Sequence, residues 1–286
     1  MSEIQLESAL HIRTAADVQQ VRARLLRLVF GDKEWPAAQV VTVQPDGALI
    51  FEGPYGMQFQ SQRYQAGGNR VVLYCEGHAG HWRHSQEAID AFLAQGWDVI
   101  AMAMPLLGPN SAGDWQGKTL REHGDFAALP APIEPFMVPW TVLYEYASRL
   151  YGDIIIAGVS GGGWSCSLYA ALDERVRLSV PVAGVWPRAL RGHNDIGDFE
   201  QQHDPLWETA SYLDRFVMAS VGRRQVQIFN RHDPACFAGD AALQYTGLVQ
   251  NRLREIGAGG TFEVLIDETH KEHKFSAWAV EAICRR

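Results

Sequence analysis

The sequence predicts an α/β fold: a mostly parallel central sheet of about eight strands with helices on both faces. Three observations lead there. From residue 70 onward, apolar runs of strand length alternate with longer helical stretches. Those runs are nearly continuous in Val, Ile, Leu and Ala, the pattern of strands covered on both faces. At residues 158–162, one such run passes through a glycine-rich turn directly into a helical stretch.

The elements follow in order. Residues 14–30 read as an amphipathic helix, with Val18, Val21, Leu25, Leu28 and Val29 on one face. Thr14 with Asp17 three positions on resembles a capping box, and Gly31 is a natural stop. Short β-like runs at 39–43, 48–51 and 57–64 are separated by the turn residues Pro45-Asp46-Gly47 and Gly53-Pro54. Residues 1–65 are thus expected to form a helix and a small antiparallel extension. In the core, strands are expected at 71–75, 97–104, 153–159, 178–183, 226–230 and 262–267. Helices are expected at 85–95, 135–150, 162–172, 240–256 and 275–284. Segments 105–135 and 186–207 carry no clear period, and long irregular segments in such folds are commonly binding loops or lids. One domain of 286 residues accommodates all of this.

Composition excludes several classes. Hydrophobic residues make up 47% and charged residues 20%, as in ordinary globular chains. The net charge of −8 argues against nucleic acid or an anionic membrane as the main partner. No apolar run approaches the ~20 residues of a membrane span. The first residues carry Glu3 and Glu7 where a secretory signal would be basic. Cys75, Cys166, Cys236 and Cys284 are widely spaced and form no metal-type pair. A reduced, cytoplasmic protein is expected.

Gly158-Val159-Ser160-Gly161-Gly162 fits Gly-x-Ser-x-Gly, and its strand–turn–helix setting is that of a nucleophile elbow. A sharp turn there exposes the Ser160 hydroxyl beside a helix N-terminus, with the Gly161 N–H directed toward a developing oxyanion. Serine needs a base, and the base an orienting acid. After this elbow the chain order is Ser, acid, His. Asp233 follows the strand at 226–230, and Asp-Pro also suits an Asx turn at Asp233-Pro234. His273 follows the last strand at a loop-to-helix junction and is the preferred base, with His270 as the alternative. Asp204 is a weaker rival acid because no convincing strand precedes it. A second oxyanion donor is expected from the loop Glu76-Gly77-His78-Ala79-Gly80-His81, first from His78, with Ala79 next.

On these residues the chain resembles the α/β-hydrolase superfamily over about residues 66–286. Gly158–Gly163 and His273-Lys274-Phe275 are similar to the dienelactone-hydrolase, acetyl-esterase and prolyl-oligopeptidase-like branch. Departures from that branch are a serine in place of the dienelactone hydrolases' cysteine, no room for a β-propeller, and Glu76-Gly77-His78 where His-Gly is frequent. The resemblance implies an eight-stranded, mostly parallel sheet and acyl-transfer hydrolysis of a small-molecule ester without a cofactor. An amide or peptide substrate, or a binding protein on the same fold, are the alternatives. His78, His81 and His84, spaced by three, suggest a metal set, but Gly77, Ala79 and Gly80 disfavour the helix that would align them. No metal is therefore expected. The acidic stretch around Asp195 is expected to be a solvated loop.

Overall fold

Strand β4 (Arg70–Cys75) shows how the chain builds its two layers. Val71, Leu73 and Cys75 point into one apolar cluster, and Val72 and Tyr74 into another on the opposite face. Because side chains alternate along a strand, a run apolar at every position must be covered twice. In the computed structural model, which describes residues 6–31, 35, 41–192 and 196–285, helices provide both covers.

Among the described residues the main sheet has nine strands: β1 (Thr42–Val43), β2 (Ala48–Glu52), β3 (Gln58–Tyr64), β4, β5 (Asp98–Met102), β8 (Asp153–Val159), β9 (Leu178–Val182), β10 (Arg224–Asn230) and β11 (Thr261–Asp267). Their spatial order is β1-β2-β3-β5-β4-β8-β9-β10-β11. The run from β5 to β11 is parallel, and β1 to β3 form an antiparallel edge joined through β3 to β5. That edge is the expected extension. The expected strand at 39–43 is described only in part, since 39 and 40 lie outside the described residues. A separate hairpin, β6 (Gly113–Trp115) with β7 (Lys118–Leu120), lies within segment 105–135.

Helix α1 (Ala15–Phe30) begins at the Thr14/Asp17 capping box and ends at Gly31, where φ is 68°. It joins α3 (Glu134–Ser148), α4 (Gly161–Leu172), α7 (Tyr212–Ser220) and α8 (Leu243–Ile256) in the larger cluster. On the other face, α2 (Gln86–Ala94) and α9 (Ala277–Cys284) bury Ile89, Phe92, Val280 and Ile283. Segment 186–207 contains two short helices, α5 (Phe199–Gln202) and α6 (Asp204–Thr209). Among the described residues, no helix is long and apolar enough to cross a membrane.

Helix α7 has no counterpart in the sequence expectations. All nine of its residues are buried, including the polar Asp214, Arg215 and Ser220, so its polar positions do not face solvent. Its N-terminal signal was nevertheless present: Ser211 and Asp214 form a capping box. Asp214 also accepts the backbone N–H groups of His11 (2.7 Å) and Ile12 (3.0 Å), tying the N-terminal segment to the core. Asp214→Ala leaves these donors, that of Ile12 buried, unpaired and removes a cap, at an expected cost of about 2–4 kcal/mol. Urea denaturation measures it, and an unchanged midpoint contradicts the tether.

Candidate functional site

Strand β8 is apolar and buried after its first residue, Asp153. It ends at Val159, and α4 starts at Gly161, so Ser160 alone makes the turn. Its backbone sits at φ 58°, ψ −127°, a region side chains rarely occupy. The Ser160 N–H donates to Val182 O of β9 (2.9 Å), and its carbonyl accepts from Trp164 N (3.0 Å), so sheet and helix hold the turn from both sides. Gly162 is required here, because a Cβ would collide with the carbonyl of Cys75.

The loop after β4 packs directly on this turn. A Cβ on Gly77 would lie 2.5 Å from Ser160 Cβ and 3.1 Å from Gly161 N. Only glycine allows that approach. The Gly80 N–H closes a turn onto Gly77 O (3.1 Å), with His78 and Ala79 between them and Ala79 exposed. The His78 ring lies against Gly161: a Cβ there would be 2.6 Å from His78 Cε1 and 2.7 Å from Nδ1. Before the loop, the Glu76 carboxylate accepts from the Ser85 hydroxyl and from Gly77 N (3.2 Å). Burial raises its pKa, against the Ser85 and Gly77 hydrogen bonds and the charges of His84 and His273.

The acid and base candidates come from the ends of β10 and β11, paired in register from Arg224↔Thr261 to Asn230↔Asp267. Asp233 Oδ2 lies 2.8 Å from His273 Nδ1. Its other oxygen accepts Ala235 N (2.8 Å) and Cys236 N (3.2 Å), so the turn before Pro234 and the histidine contact coexist. The Asp233 side chain is 0% exposed and that of His273 23%, leaving the imidazole partly open. Lys274 Nζ, 2.7 Å from Glu87 Oε2, fastens the following residues onto α2. Among the described residues, no hydrogen bond joins Ser160 Oγ to His273. Such contacts are commonly long before substrate binds.

His270 is differently placed. Its Nε2 lies 3.1 Å from Asp267 Oδ2, and its Nδ1 lies 3.0 Å from Asn230 Nδ2. Both ring nitrogens are thus engaged within the fold. Asp267 also accepts from the Ser276 hydroxyl (2.5 Å) and from Thr269. Burial opposes charge on Asp267, but these hydrogen bonds outweigh it and lower its pKa. Asp204 sits in α6, paired with Arg188 (2.7 Å) and largely exposed. Asp195 lies outside the described residues. Burial pushes the Cys75 thiol up to about 12 and Cys166 well above its ordinary value, so neither is a thiolate nucleophile.

The three-spaced histidines do not converge. His81 packs its ring on Trp82 (centroids 4.4 Å apart) and accepts from Arg83 N (3.2 Å). His78 instead faces His123 and Glu200, which no spacing in the sequence connects to it. Both come from the two irregular segments, which therefore border the elbow.

Comparison with protein-family models gives no match, and neither does comparison with curated protein sequences. Solved structures do match. An acetyl xylan esterase from Paenibacillus sp. R4 is 17% identical, with 100% of this chain and 98% of that one covered and a TM-score of 0.59. Acetyl xylan esterase 1 from Thermoanaerobacterium sp. JW/SL YS485 is 16% identical over 99% and 97% of the two chains (TM-score 0.59). A family 15 carbohydrate glucuronoyl esterase from Caldicellulosiruptor kristjansonii is 14% identical over 95% and 85% (TM-score 0.60).

One outcome separates the two histidines physically. His270→Ala strips Asp267 and Asn230 of a buried partner and is expected to lower stability by about 1–3 kcal/mol in urea denaturation. No loss would show that His270 does not hold these loops. With its sheet order, its elbow and these neighbours, the chain has the α/β-hydrolase fold.

Proposed function

We propose that the protein is a serine hydrolase that cleaves a carboxylic ester of a small or medium-sized substrate through an acyl-enzyme. The observation that carries this reading is the 2.8 Å contact between Asp233 and His273, in a chain whose Ser160 makes a strand-to-helix turn at φ 58°. In this reading Ser160 attacks the carbonyl and His273 takes its proton. Asp233 fixes the imidazole tautomer and stabilises the imidazolium. The N–H groups of Gly161 and His78 receive the oxyanion, and each such donor is worth about 10²–10³ in rate. His273 then protonates the leaving alcohol, and water, activated by the same imidazole, releases the acid. His270 is assigned no chemical step, because both its nitrogens are already engaged.

The neighbours named as acetyl xylan and glucuronoyl esterases make a short acyl ester the first substrate class to try. We place the entire chain in one catalytic unit, since residues of the N-terminal segment share one apolar cluster with β4, β5 and β8. A reducing setting such as the cytoplasm is part of the proposal, supported by four free cysteines.

Hydrolysis of p-nitrophenyl esters of graded acyl length tests it. Ser160→Ala and His273→Ala are each expected to lower kcat by about 10⁴-fold or more. His270→Ala, assayed where it is folded, should stay within about tenfold of the parent. An active Ser160→Ala variant refutes the mechanism. If His270→Ala is inactive and His273→Ala active, the base is misassigned.

A further inference from the structure

Beside the elbow lies a second constellation of side chains, none of which takes part in the proposed hydrolysis, where His78 serves through its backbone N–H alone. His78 Nε2, His123 Nδ1 and a Glu200 oxygen lie within 4.8 Å of one another. Their separations are 3.3 Å between the two nitrogens, 3.4 Å from His78 Nε2 to Glu200 Oε1 and 3.4 Å from His123 Nδ1 to Glu200 Oε2. Around a tetrahedral metal with bonds of about 2.0–2.1 Å, neighbouring ligand atoms lie about 3.3–3.4 Å apart. Each Glu200 oxygen meets one histidine nitrogen at such an edge length, and one of them closes a triangle with both nitrogens within 4.8 Å.

Two further observations point to a cation. Glu200 is 0% exposed, and neither of its carboxylate oxygens makes a hydrogen bond among the described residues. A buried carboxylate in that condition is costly unless something positive completes it. His123, 8% exposed, has its Nε2 2.9 Å from the backbone carbonyl of Pro105. A carbonyl only accepts, so Nε2 carries the hydrogen, and Nδ1 faces Glu200 and His78, where loss of its proton to a metal would free a lone pair for that site. Metal-binding histidines are oriented in this manner, their second nitrogen donating to a carbonyl or carboxylate.

We propose that His78, His123 and Glu200 bind a divalent transition metal, with zinc the best fit to a His₂Glu set. Asp198 Oδ2, 3.1 Å from His78 Nε2, stands outside the mutually close group. The fourth position is therefore left to water or to an oxygen of a ligand. The ligands come from the loop after β4, from segment 105–135 and from segment 186–207, so the ion pins both irregular segments to the loop that packs on Ser160. Metal binding does not depend on the ester-hydrolase reading. The two can fail separately, because the test reads metal rather than turnover.

Chelator-stripped full-length protein is titrated with Zn²⁺ by calorimetry and with Co²⁺ by visible absorption. The expected result is about one equivalent of Zn²⁺ per chain and the intense visible bands of a four-coordinate Co²⁺ site. Glu200→Gln, which keeps the side-chain shape, and His123→Ala should each weaken Zn²⁺ binding by more than about 100-fold, beyond the usual effect of losing an outer-shell partner. His81→Ala, checked for folding like the others by circular dichroism, should bind as the parent does. The proposal is overturned if the parent protein takes up no stoichiometric Zn²⁺, or if folded Glu200→Gln binds it as tightly as the parent.

Discussion

The candidate site depends on one close approach: the backbone of the loop after β4 against the turn after β8. These strands are parallel neighbours, in register from Arg70↔Asp153 to Cys75↔Gly158, so their C-terminal ends finish side by side. The chain can then turn sharply at Ser160 only if nothing occupies the space between the two ends. Gly162 meets the Cys75 carbonyl, and Gly77 meets Ser160 itself. A methyl group at either position would push apart the two segments that carry Ser160 and the amides beside it. The strained backbone of Ser160 is sustained by a rigid surround, with β9 holding its N–H and α4 its carbonyl.

Every other part of the candidate site hangs from strand ends on the same edge of the sheet. Asp233 follows β10, His273 follows β11, and the register Asn230↔Asp267 brings their loops together. Asn230 reinforces this by donating to Glu272 O (2.8 Å). The pair Asp267–His270 works below the candidate base, fixing the loop from which His273 emerges. Open parallel sheets present ligand-binding loops at the carboxyl ends of their strands for this reason: the strands are fixed by ladder hydrogen bonds, and the loops inherit their positions.

The fold was legible where local pattern and tertiary environment agree. Doubly covered strands read as continuous apolar runs, and β8 is placed at 153–159 by sequence and structure alike. The Thr14 capping box marked α1 because capping is a local interaction. Helix α7 is harder to read because it is short, with nine residues, and its polar Asp214, Arg215 and Ser220 are buried in the fold. Within the candidate site, Ser160 and Asp233 announce themselves by motif and turn chemistry. The loop-to-helix junction favours His273 over His270, and the partners of each ring nitrogen add the physical ground that spacing does not supply. The convergence of His78 with His123 and Glu200 was illegible altogether. It joins residues 45 and 77 positions apart, brought together by two segments without sequence periodicity.

The central claim is that Ser160 is the activated nucleophile. Its most direct test is to treat the folded protein with a fluorophosphonate and map the adduct by peptide mass spectrometry. The account predicts a single stoichiometric adduct on Ser160, lost when His273 is replaced by alanine. Labelling at another residue, or an unmodified Ser160 in a protein that still hydrolyses esters, would contradict it.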